Sequence, residues 1–93
     1  MTTYAIGGTG QKTAASPAVA LTTSPLSYTG GVTISNRDAS LDVYLGVSGV
    51  DSTNGYILSP GQSISLGIID ISTIYAYSIG SPIVTWLGLT VTS

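Results

Sequence analysis

The sequence lacks cysteine, histidine and glutamate, and these absences limit its chemistry. No disulfide can cross-link the chain, and most zinc and copper sites are disfavoured. The acidic residues are all aspartates, so the usual general bases and activated nucleophiles are missing, and no catalytic triad can be assembled. We therefore expect no enzymatic activity, no cofactor and no metal. The four aspartates are Asp38, Asp42, Asp51 and Asp70.

Charge is also scarce, at 6% of the residues, whereas hydrophobic residues make up 43%. An average soluble protein is about one quarter charged. The exterior must therefore consist of Ser, Thr, Gly and backbone. Two interpretations stay open: a surface covered by neighbouring subunits, or the neutral surface of a secreted β-domain.

The only cations are Lys12 and Arg37. No basic stripe exists to neutralise a phosphate backbone, so we expect no nucleic-acid partner. No apolar run approaches the roughly 20 residues that cross a bilayer, so we expect no membrane partner.

A chain of 93 residues has room for one domain. A domain of this size has a marginal core and commonly gains support from partner subunits, and we expect a homotrimer. Residues 1–15 are small and polar, with Gly7, Gly8 and Gly10 in close succession and no periodic pattern. They predict a flexible or extended N-terminal arm, whose Tyr4 and Ile6 would lie against a partner.

Residues 16–93 predict a single all-β domain, an antiparallel β-sandwich of about seven strands with jelly-roll or immunoglobulin-like topology. β-forming residues recur between turn residues at short intervals, and no window has helical periodicity. Pro60-Gly61 suits a type II turn, and Asn54-Gly55 tolerates positive φ. The predicted strands are 18–23, 32–36, 43–47, 56–58, 62–68, 74–79 and 83–91.

Two of these strands are apolar on both faces. In 83–91, Val84 and Trp86 lie on the face opposite to that of the other apolar residues. In 74–79, Tyr75 and Tyr77 lie on one face, and Ile74 and Ala76 lie on the other. A two-layer sandwich has only one inner face for each sheet, so the second face must meet the arm, a neighbouring subunit or a ligand. In 83–91, Ile83, Leu87, Leu89 and Val91 share one face, and Val84 and Trp86 share the other.

Aromatic residues provide the candidate contact site. Tyr44, Tyr75 and Tyr77 suit a carbohydrate-stacking platform, and they suit a protein interface equally well. With Tyr4, Ile6 and Trp86 they make up our predicted interface. Asp38 and Asp42 could hold a hard cation, but we favour a turn cap for Asp38 and strand-end protection for Asp42.

Four segments together resemble small β-sandwich proteins encoded in the structural regions of tailed phages. The resemblance covers about the last two thirds of the chain and brings no catalytic residues. The segments are VTISN at 32–36, VYLG at 43–46, STNGYILSPGQSISL at 52–66 and IYAYS at 74–78.

The resemblance implies a capsid decoration (cement) protein on the outer capsid surface of a virion. Such a protein binds the major capsid protein where capsomers meet and stabilises the shell through many repeated contacts. Related small β-domains occur as head fibres and tail components. The alternative hypothesis, from the tyrosines, is a glycan-binding or adhesion module.

Overall fold

The computed structural model describes residues 3–92, which form two antiparallel four-stranded sheets. Sheet A has the order β1-β8-β3-β6, and sheet B has the order β2-β7-β4-β5. The strands are β1 Tyr4–Thr13, β2 Val19–Ala20, β3 Val32–Asn36, β4 Val43–Gly46, β5 Tyr56–Leu58, β6 Ser63–Leu66, β7 Tyr75–Tyr77 and β8 Ile83–Val91.

The all-β prediction is confirmed for residues 3–92, where a single 3-10 turn, Ile71–Thr73, is the helical element. Asp70 caps this turn, because its carboxylate accepts the Ser72 N–H. No helix in this part of the chain has the length and apolar character that crossing a membrane would require.

The strand count and the N-terminal segment differ from the prediction. Tyr4–Thr13 is strand β1 and pairs with β8 along its length, so the described strands number eight rather than about seven. The segment predicted to be an arm is therefore extended, but it belongs to sheet A. Its first two residues, and residue 93 of the predicted sandwich domain, lie outside the described residues.

Glycines allow β1 to pack closely on two aromatic rings. A Cβ at Gly10 would overlap the Trp86 indole, and one at Gly8 would crowd the Tyr28 ring. Gly88, opposite Gly8 on β8, also lies against Tyr28. The glycines that suggested flexibility instead make room for rings supplied by other segments.

Alternation along the strands forms the core between the two sheets. Side chains from the inner faces of both sheets are buried there, as strand periodicity requires. Four strands, β2, β4, β6 and β7, end earlier than predicted. Val47 and Ile68, which lie beyond the ends of β4 and β6, are exposed. Core residues include Leu21, Ile34, Val43, Leu45, Leu58, Ile71, Ala76, Val84 and Trp86.

The Pro60-Gly61 turn is confirmed. Gly61 has a φ of 76°, and the Gln62 N–H donates to the Ser59 carbonyl over 2.9 Å. These features belong to a type II turn. The turn carries the chain from β5 in sheet B to β6 in sheet A.

Candidate functional site

The outer face of sheet A carries exposed apolar side chains. In the β1–β8 register Tyr4 lies opposite Val91, and Ile6 lies opposite Leu89. Tyr4 is 53% exposed and Ile6 is 68% exposed. Cross-strand neighbours of this kind have their Cβ atoms about 5 Å apart, so they make one continuous surface. We call Tyr4, Ile6, Leu87, Leu89 and Val91 the apolar stripe.

The same face of sheet A has no charged side chain among its described strand residues. Beside the apolar stripe it presents threonines, serines, one glutamine and one isoleucine. The predicted division of 83–91 is confirmed, because Val84 and Trp86 are buried on the opposite side of β8. The outward residues beside the stripe are Thr9, Gln11, Thr13, Thr33, Ser35, Ser63, Ser65, Ile83 and Thr85.

The edge of β1 adds free backbone groups to this surface. The Ala14 N–H donates to the Pro82 carbonyl over 2.9 Å, at the end of the β1–β8 ladder. This hydrogen bond determines which residues of β1 direct their backbone N–H and C=O groups toward β8. Residues 8, 10 and 12 therefore direct their backbone groups toward β8, whereas Thr9, Gln11 and Thr13 direct theirs away from the sheet. An exposed strand edge of this kind can pair with another chain.

The outer face of sheet B carries the three tyrosines. Tyr44 lies opposite Tyr77 in the β4–β7 ladder, and Tyr75 lies opposite Gly46. The Tyr44 and Tyr77 ring centroids are 6.1 Å apart, with the rings tilted by 59°. The structure thus brings Tyr44, Tyr75 and Tyr77 together on one face, with the rings of Tyr44 and Tyr77 in contact.

Tyr44 and Tyr77 line a cavity of about 290 Å³ at the end of sheet B. Asp42 and Ser52 contribute polar groups, and Ile79 forms an apolar rim that is 86% exposed. The other lining residues are Ser40, Leu41 and Ser78.

Asp42 is distinct from the other three aspartates. Its carboxylate accepts no hydrogen bond from residues 3–92. The other three carboxylates accept hydrogen bonds from backbone N–H groups or hydroxyl groups. Asp38 accepts the Ser40 and Leu41 N–H groups, which lower the pKa of its carboxyl group. Its predicted role as a turn cap agrees with these bonds.

Asp51 and Asp70 also have lowered pKa values. The hydroxyl and the N–H of Thr53 both donate to the Asp51 carboxylate. The Asp70 carboxylate accepts first from the Leu26 N–H and then from the hydroxyl and N–H of Ser72. These hydrogen bonds favour the ionised form of both carboxyl groups.

Trp86 lies in the core and not on a surface. It is 7% exposed and packs against the core of the sandwich, so it cannot join the other predicted interface residues on an outer face. Its Nε1 is buried without a hydrogen-bond partner among residues 3–92. The strand alternation that puts Leu87 outside puts Trp86 inside.

Sequence reasoning missed an apolar cleft between the free edges of β5 and β6. Inner-face residues of both sheets line it, and its volume is about 290 Å³. The exposed Val47, Tyr56 and Ile69 border it. The Ile68-Ile69 pair beside Gly67 was the available sign, since apolar residues just past a strand end are unusual in an exposed loop.

Within residues 3–92, no group of three or more aspartates lies close enough together to hold a metal ion. No protein-family model matches the chain. Searches of curated proteins and of solved structures also gave no match.

Proposed function

We propose that this chain is a virion structural protein: a homotrimeric capsid decoration protein that binds the major capsid protein between capsomers on the outer shell. The observation that carries the proposal is the apolar stripe on the outer face of sheet A, where the described strand residues present no charged side chain. A free monomer normally keeps such a face soluble with interspersed charge. Here the five stripe residues lie side by side on two paired strands, as in a surface that a partner covers.

The strand pairing supports the proposal at the level of architecture. β1 pairs with β8, β2 with β7, β3 with β6, and β4 with β5. In a jelly roll, one long antiparallel hairpin is rolled into two sheets, and its strands pair in this order. We therefore propose the jelly roll as the finer description of the sandwich. Jelly rolls occur both as viral capsid domains and as lectins, so the fold alone does not identify the function. The functional argument therefore rests on the surface of the protein.

The free edge of β1 extends the proposed contact. Thr9, Gln11 and Thr13 offer backbone donors and acceptors beside the apolar stripe. A partner strand on this edge would satisfy them, while its side chains covered Tyr4 and Ile6. The resulting contact would combine backbone hydrogen bonds with apolar burial and would contain few ion pairs.

The test is co-sedimentation of the purified full-length chain with undecorated shells of the major capsid protein encoded in the same genome. Light scattering of the free protein should give about three times the chain mass of 9.4 kDa. Binding should persist near 1 M salt, where the Debye length is about 3 Å, because the residues of the apolar stripe carry no charge.

Matched substitutions locate the contact. Ile6→Thr and Leu87→Thr remove apolar area from the stripe while keeping residues that suit a strand. Each should weaken attachment by about tenfold or more. Ile57→Thr is the control, because Ile57 is 51% exposed on the outer face of sheet B. The proposal would be excluded if the protein is a stable monomer that does not bind the shells, or if all three variants lose attachment to the same extent.

A further inference from the structure

We infer that Tyr44, Tyr77 and Asp42 form a binding site for a neutral pyranose sugar on the outer face of sheet B. The three residues line one cavity, at the end of the face where β4 begins and β7 ends. The cavity volume of about 290 Å³ lies close to the lower limit for small-molecule sites, which suits one sugar ring.

The two tyrosine rings provide the stacking surface. Because they are tilted by 59°, the two rings are not stacked face to face. Both side chains are half-buried, so the strands hold their positions while part of each ring stays exposed. A pyranose has a flat face of C–H groups, and an amphipathic ring of this kind can bind that face and donate its hydroxyl to the sugar.

Asp42 provides the acceptor for sugar hydroxyls. Of the four aspartates it is the one whose carboxylate accepts no hydrogen bond within residues 3–92, so its acceptor capacity is available. Ser52, on the opposite loop, adds a hydroxyl whose side chain is likewise without a protein partner there. A free carboxylate beside two aromatic rings can bind the polar edge and the apolar face of the same sugar.

The charge of the cavity selects the sugar class. Its described lining contains one carboxylate and no lysine or arginine. A sialic acid or a sugar phosphate would place its anion near Asp42 without a compensating cation. A neutral hexopyranoside meets no such repulsion.

The proposed sugar site and the apolar stripe lie on opposite outer faces of the sandwich. One face could therefore contact a shell while the other stayed open to a glycan. The sugar site does not depend on the decoration function, because it uses no residue of the apolar stripe.

The experiment is a titration of the 15N-labelled full-length chain with the neutral methyl glycosides of glucose, galactose, mannose and N-acetylglucosamine. Concentrations up to about 20 mM detect millimolar affinity. At least one glycoside should shift the amide resonances of Asp42, Tyr44 and Tyr77. Sialyllactose should bind at least tenfold more weakly than the best neutral glycoside.

Three substitutions distinguish the site from the rest of the tyrosine face. Tyr77→Ser should weaken binding about tenfold, and Asp42→Asn about fivefold. The Asp42→Asn chain should keep its melting temperature, since the carboxylate holds no loop. Tyr75→Ser is the matched control, because Tyr75 shares the strand and face of Tyr77 but does not line the cavity.

Two outcomes would overturn the inference: no shift with any neutral glycoside, or an equal loss of binding in Tyr75→Ser and in a folded Asp42→Asn chain. Stronger binding of sialyllactose than of every neutral glycoside would also overturn it. Shell attachment of Asp42→Asn and Tyr77→Ser should equal that of the unmodified chain. Failure of the sugar titration is thereby separated from failure of the decoration proposal.

Discussion

The side-chain amide of Asn36 donates to the backbone carbonyl of Leu58 over 2.9 Å and thereby joins sheet A to sheet B. The same nitrogen donates to the Leu41 carbonyl over 2.8 Å, and the amide oxygen accepts the Asp38 N–H. Asn36 is 1% exposed, and both of its N–H donors and its amide oxygen have hydrogen-bond partners.

Replacing Asn36 should therefore destabilise the fold strongly. Asn36→Ala leaves the Leu41 and Leu58 carbonyls without this donor and opens a cavity, and we expect a loss of about 3 kcal/mol in the free energy of unfolding. Asn54→Ala is the control, because Asn54 accepts one hydrogen bond on an exposed loop and should cost below about 1 kcal/mol. Urea unfolding followed by circular dichroism measures both. Equal losses would contradict the role of Asn36 between the sheets.

Close packing at Gly10 gives a second prediction. Gly10→Ala should lower the free energy of unfolding by about 1–3 kcal/mol, because the new methyl group would displace the Trp86 indole. Gly67→Ala is the matched control, since no atom lies within 4 Å of the Cβ position at Gly67. It should be neutral or stabilise by about 0.5 kcal/mol. The displaced indole should also shift the tryptophan fluorescence of Gly10→Ala alone.

The strands whose side chains fill the core could be predicted from the sequence. In β8 the alternation correctly placed Val84 and Trp86 on one face and Leu87 and Val91 on the other. It did not identify the inner face, because both faces carry large apolar residues, and Trp86 was therefore wrongly assigned to the interface. The Pro60-Gly61 turn followed from the backbone preferences of those two residues.

Strand β1 could not be predicted in the same way. Its glycines carry no side chain, so the period of two is absent from the sequence even though the backbone is extended. Tyr28 and Trp86, which fill the space, lie 15 residues or more further along the chain. The contact of Tyr44 with Tyr77 was also hidden, because it depends on the register between β4 and β7.

Removal of β1 tests its place in the sheet. Deleting residues 1–13 would expose one edge of β8 and uncover the Trp86 indole and the Tyr28 ring. We expect a loss above about 4 kcal/mol, enough to unfold a marginal domain of this size. Ile6→Thr is the control, because it changes an exposed side chain and leaves the β1–β8 pairing in place, and it should change the melting temperature little. If the 14–93 chain folds with an unaltered melting temperature, residues 1–13 are a dispensable arm and not a strand that sheet A requires.

Acid sensitivity should follow from Asp70. Its carboxylate accepts the Leu26 N–H across 44 positions of sequence, and the Ile71 N–H donates back to the Leu26 carbonyl over 2.8 Å. These bonds and those from Ser72 lower the pKa of Asp70 in the folded state. Near pH 4 the unfolded chain therefore binds more protons than the folded chain, so stability rises with pH through this range.

The stabilisation from Asp70 should be fully present above about pH 5 and should be lost as the pH falls through the lowered pKa of the folded state. Melting temperatures measured from pH 2 to pH 8 should be nearly constant at the upper end, since the chain has no histidine or cysteine, and should fall below about pH 4. Asp70→Asn keeps the size of the side chain but removes its ionisation. The melting temperature of this variant should be lower at pH 7, and it should decrease less steeply as the pH is lowered (a shallower acid slope). Ile57→Thr is the control: it changes an exposed side chain without adding or removing an ionisable group, so its melting temperature should fall with pH in parallel with that of the unmodified chain. Parallel acid slopes for Asp70→Asn and the unmodified chain would show that the bond from the Leu26 N–H does not couple protonation to folding.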